Sequence, residues 1–82
     1  MHTRAPNGDK NIAGPVIRKL RRERGMSQSQ LAIQLQLRGF SCSRDTVKRI
    51  ETGTRFLYDR ELLLLSDVFG VPLSTLLGGG EL

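Results

Sequence analysis

The stretch from Ser43 to Thr52 (Ser-Arg-Asp-Thr-Val-Lys-Arg-Ile-Glu-Thr) concentrates the hydrogen-bonding chemistry of this chain. Arginine carries a planar fork of donors that fits the O6/N7 edge of guanine or the oxygens of a phosphate. A carboxylate accepts from the N4 amino group of cytosine. At a helical period, Val47, Ile50 and the flank of Glu51 face one way; Asp45, Arg49 and Thr52 face the other, with Lys48 beside them. Catalytic chemistry has no such concentration. A single cysteine, Cys42, and a single histidine, His2, make neither a zinc cluster nor a Cys/His pair. No nucleophile–base pair and no carboxylate pair stands out, so an enzyme, a metal site and a cofactor are not expected. Cys42 reads as a small buried hydrophobe rather than a redox sensor.

The elements that position these groups must fit in 82 residues, which predicts one domain. The net charge of +5 favours a polyanionic partner. Twelve of the thirteen Lys/Arg but only four of the eight acids lie in residues 1–55, so the polyanion surface is expected there. Ten of the thirteen cations are arginine, which favours bidentate contacts. The longest apolar run, Leu62 to Leu65, is far short of the roughly 20 residues that span a bilayer. No apolar segment follows Met1, so no signal peptide is expected and a cytoplasmic, nucleoid-associated protein is.

Residues 1–11 lack periodicity and read as a flexible basic arm carrying Arg4 and Lys10. Gly14-Pro15 opens a first helix with stripe Val16, Ile17 and Leu20, closed by Gly25. Ser27 and Gln30 form a capping box for a second helix, with Met26 and Leu31 as hydrophobic staple; it runs to about Leu37. Arg38-Gly39 ends it, and Ser43 caps a third helix from about Arg44 to Thr52, stopped by Gly53. Thr54 to Tyr58 reads as loop. Asp59 caps a fourth helix through about Phe69, with the leucine run 62–65 as core. A short fifth helix follows Val71-Pro72-Leu73 and ends by Leu77, and residues 79–82 form a flexible tail. The domain proper is 12–78. The aromatics Phe40, Phe56, Tyr58 and Phe69 are not interleaved with basic residues, which argues against single-stranded RNA.

Two short helices joined by a glycine turn, the second thin-cored and cationic, satisfy the requirements of a helix-turn-helix reader. The segments Gly25-Met26-Ser27-Gln28-Ser29-Gln30-Leu31-Ala32 and Val47-Lys48-Arg49-Ile50-Glu51-Thr52-Gly53 are followed by Leu65, Phe69-Gly70-Val71-Pro72 and Leu76-Leu77. In this order they resemble the Cro/C1-type (XRE) helix-turn-helix family of phage and bacterial regulators, over residues 14–78. The resemblance implies an all-α, five-helix, lambda-repressor-like domain, here with an extended turn between helices two and three. It implies base contacts by Arg44, Asp45, Arg49 and Lys48. Phosphate contacts are implied for Gln28, which also braces the third helix, and for Ser43 and Arg55; the arm residues Arg4 and Lys10 are further phosphate candidates on charge. Arg21 and Glu51 match a structural ion pair, at the edges of the stripes of Ile17 and Val47. Arg18, Lys19 and Arg22 read as solvated helix surface.

The expected function is a sequence-specific transcriptional regulator of double-stranded DNA, a repressor. It inserts its third helix into the major groove of a near-palindromic operator. The leucine-rich fourth and fifth helices suggest a homodimer, and no membrane or small-molecule ligand is expected. The alternative is an antitoxin-like or accessory module whose first partner is another protein and whose DNA binding is secondary.

Overall fold

Ser27 and Ser43 start two helices by the same device. In each, the serine Oγ accepts from the backbone N–H three residues on, at 3.0 Å from Gln30 and 3.2 Å from Thr46. The Gln30 and Thr46 side chains in turn accept from the serine N–H. These reciprocal bonds satisfy N–H groups that a helix start leaves without partners. The computed structural model describes residues 2–3 and 10–78, and within them five helices: α1 (Gly14–Glu23), α2 (Gln28–Leu37), α3 (Arg44–Glu51), α4 (Asp59–Phe69) and α5 (Leu73–Leu76). Two-residue strands β1 (His2–Thr3) and β2 (Leu57–Tyr58) pair antiparallel, His2 opposite Tyr58 and Thr3 opposite Leu57.

One core joins the helices. Ile17 and Leu20 of α1, Leu31 and Leu35 of α2, and Val47 and Ile50 of α3 meet Leu62, Leu65 and Phe69 of α4 and Leu76 of α5. The extended turn lies between α2 and α3, where Gly39 at φ 90° adopts a conformation that a side chain would strain. There Gly39 N–H donates to Gln36 O and Phe40 N–H to Leu35 O, the double bond pattern that closes a helix and reverses the chain. The turn is anchored by Phe40 and Cys42, buried at 7% and 5% exposure, and by Gln36, whose amide donates to Cys42 O. Cys42 therefore sits beneath the turn, and burial, the largest influence on it, raises its thiol pKa.

Four expectations change. Asn11, assigned to the arm, is 1% exposed, because its amide serves three backbone groups at once. Its Nδ2 donates to Ile50 O at 3.1 Å and Arg55 O at 2.8 Å, while its Oδ1 accepts from Gly14 N–H at 2.7 Å. Lys10 N–H also donates to Gly53 O, so the chain before α1 is tied to the end of α3. Arg4 lies outside the described residues. The segment Thr54–Tyr58 is not all loop, since Leu57, fully buried, carries β2. Asp59 is the first residue of α4 rather than its cap; Glu61 reaches back to accept from Tyr58 N–H. Finally, the leucine run is not core throughout: Leu62 and Leu65 are buried, but Leu63 is 55% exposed, because α4 presents only one side to the other helices.

Gly14 marks where α1 and α3 touch backbone to backbone. A Cβ built there lies 2.5 Å from Ile50 O and 2.9 Å from Glu51 O. Gly→Ala in a helix ordinarily stabilises by roughly 0.5–1 kcal/mol. Here the sign reverses: Gly14→Ala is expected to cost about 1–3 kcal/mol through steric displacement, measured as a lower urea midpoint at unchanged m-value.

Candidate nucleic-acid interface

The carboxylate of Glu51, at the end of α3, gathers three helices. Arg21 of α1 donates to it through Nε at 2.6 Å and Nη2 at 3.1 Å, and Gln28 of α2 through Nε2 at 3.2 Å. The third arm of the guanidinium, Nη1, donates to Met26 O at 2.7 Å, in the turn between α1 and α2. The side chains of Arg21 and Glu51 are 11% and 2% exposed, so the pair is largely withdrawn from water and is held by charge-assisted hydrogen bonds. Together with Asn11 on the Ile50 carbonyl, this cluster fixes the angle at which α3 leaves the core.

With Val47 and Ile50 turned inward, α3 presents Arg44, Asp45, Lys48 and Arg49 to solvent. They form two adjacent stripes, each one helical turn apart. Arg44 and Lys48 line a cleft of about 290 Å³ with Arg18, Gln28 and Thr52, beside the Arg21–Glu51 pair. Asp45 and Arg49 are joined by an ion pair of 3.0 Å, both about two-thirds exposed. Ser43 is exposed at the N-terminus of α3, its hydroxyl engaged in the cap. The face therefore combines cations at the cleft with a donor–acceptor pair along the outer stripe. Such a face can hold an anionic backbone and present hydrogen-bonding groups to a base edge.

Two sequence-derived residues are not gathered here. Both terminal nitrogens of Arg55 bond the Glu61 carboxylate, at 2.9 and 3.1 Å, and Nη1 also donates to Phe56 O. The guanidinium lies 5.3 Å from the Phe40 ring centroid, and the Glu61 bond is the main cause raising its pKa. Arg55 thus fastens α4 to the turn before α3. Lys10 places its ammonium 5.5 Å from the Phe56 ring centroid. Conversely, Arg18 joins the cleft although it reads as solvated surface in the sequence. The available signal is its position three residues before Arg21, on the same edge of α1.

A family model described as a helix-turn-helix domain matches residues 13–76, and the chain belongs to that family. Among solved structures it is similar to the DNA-binding domain of BldD, with a TM-score of 0.67 and 25% identity, over 84% of this chain and 93% of that one. No curated protein matches it. No helix among the described residues is long and apolar enough to cross a membrane.

The buried pair makes a non-additive prediction. Arg21→Met leaves Glu51 charged and unpaired, and a cost of about 3–5 kcal/mol is expected in urea denaturation. Arg21→Met combined with Glu51→Leu is expected to cost clearly less than the sum of the two single changes, since neither charge is then stranded.

Proposed function

We propose that this chain is a sequence-specific regulator of transcription of the Cro/C1 type, which acts by occupying double-stranded DNA. The observation that carries the reading is the α3 face: four polar or charged side chains, exposed on two stripes, on a helix locked to α1 and α2 by Glu51. In this reading α3 enters the major groove, α2 crosses the backbone, and the cleft of Arg18, Gln28, Arg44 and Lys48 takes a phosphate. Arg49 and Asp45, on the outer stripe, meet base edges, while Arg44 and Lys48, which the family resemblance assigns to bases, line the cleft and join the phosphate set. Ser43 lies within reach of the backbone at the N-terminus of α3. Arg55 is left out of the phosphate set because Glu61 fills its fork. Similarity to the DNA-binding domain of BldD supports DNA as the partner.

Binding by occupancy fits repression, since the five helices share one core and leave no separate effector module among the described residues. A homodimer through α4 and α5 fits the exposure of Leu63 and the half-buried Leu64, Leu73 and Leu77. A two-fold dimer reads a near-palindromic operator with half-sites about one helical turn, roughly 10 bp, apart.

Selection from a randomised duplex pool at near-physiological salt tests the reading. An enriched inverted repeat is expected. Arg49→Ala should lose about 1–3 kcal/mol of discrimination at one position per half-site. Lys48→Ala should weaken all sequences alike and shallow the salt dependence. A pool that stays random, with binding that only fades as salt rises, contradicts sequence-specific recognition.

A further inference from the structure

The ion pair on the outer stripe of α3 bears on how the arginine is presented. Asp45 Oδ2 lies 3.0 Å from Arg49 Nε, an ion pair across one turn of the helix. A guanidinium can meet a flat acceptor pair side-on, through Nε and one terminal nitrogen, or end-on, through both terminal nitrogens. With the carboxylate standing beside Nε, that side is closed to another acceptor and the end-on fork remains, its two parallel donors matching guanine O6 and N7. The acid stands one turn before the base, the favoured order for such a pair on a helix. Tethering also reduces the rotamer freedom that a long arginine loses on binding. Asp45 Oδ1 is left as an acceptor, and the groove offers amino groups at cytosine N4 and adenine N6. On the neighbouring stripe Arg44 and Lys48 meet no carboxylate within ion-pair distance among the described residues, as suits groups that serve phosphate.

We infer that Asp45 and Arg49 form one reading unit. Asp45 positions Arg49 end-on to a guanine and takes an amino group of the adjacent base pair. The inference rests on the DNA-reading function proposed above. It makes Asp45 a specificity residue with two effects. Its negative charge opposes indiscriminate binding to the phosphate backbone, while its ion pair at Nε sharpens the preference of another residue for guanine. The preferences at two adjacent operator positions are therefore coupled through one carboxylate.

The test is enrichment from randomised duplex DNA by wild type, Asp45→Ala, Arg49→Ala and the double variant, with affinity for an unrelated duplex measured alongside. Asp45→Asn, which keeps the side-chain shape, provides a second variant if Asp45→Ala lowers helicity. The wild type should prefer guanine by about tenfold or more at one position per half-site. Asp45→Ala should lose most of that preference together with the preference at the adjacent position, and should bind the unrelated duplex more tightly. In the Arg49→Ala background, removal of Asp45 should change the guanine position no further. Should the wild type select a site and both Asp45 variants keep the full guanine preference, Arg49 reads alone and the coupled unit is wrong. Should the wild type select no site, the DNA-reading function fails and the inference fails with it.

Discussion

A carboxylate with 2% of its side chain in contact with solvent is costly to bury, and Glu51 is tolerated only because three donors from two other helices converge on it. That constraint runs outward through the fold. Arg21 must lie one turn beyond Ile17 on α1, and Gln28 must be the first residue of α2, directly after the Ser27 cap. Met26 must offer its carbonyl from the turn between them. Apolar packing alone leaves short helices free to slide and rotate, whereas a carboxylate with directional partners fixes one arrangement. Asn11 adds a second fixed point, on the carbonyl of the residue before Glu51. The close backbone approach at Gly14 completes the seat of α3.

The proposed DNA-binding surface follows from what this seat leaves outside. An eight-residue helix that buries Val47, Ile50 and Glu51 has its other sides available, and there the chain places Arg44, Asp45, Lys48 and Arg49. The stripe nearer α1 shares its cleft with Arg18 and Gln28; the outer stripe carries the ion pair. Elsewhere, cations are used as fasteners. Arg24 donates to Phe69 O at the end of α4, Arg38 pairs with Asp67, and Arg55 pairs with Glu61. The count of thirteen Lys/Arg thus overstates the charge available to a polyanion.

How legible this is in the sequence varies with the range of the interaction. Helix starts at Ser27 and Ser43 and the stop at Gly39 rest on residues at most five apart, so local chemistry is enough to read them. Asn11 is different. Its partners Ile50 and Arg55 are 39 and 44 residues away, and nothing beside an asparagine in an aperiodic segment announces them. The Arg21–Glu51 pair, 30 residues apart, is reached only through the family resemblance. The same resemblance assigns Arg55 to phosphate, and the structure adds Glu61, six residues on, bonded to both ends of its guanidinium. Leu63 reads as core because four consecutive leucines leave the helical stripe undefined.

In the proposed function, the exposed face of α3, seated by Glu51, is the surface that meets DNA. The most direct measurement is an amide chemical-shift titration of the labelled protein with a double-stranded DNA ligand. The largest changes are predicted over 43–52, at the start of α2 and near Arg18, with residues 59–77 little affected by contact with the duplex. Changes concentrated on α4 and α5, with α3 silent, would contradict the claim and would mark the leucine-bearing face as the primary contact surface.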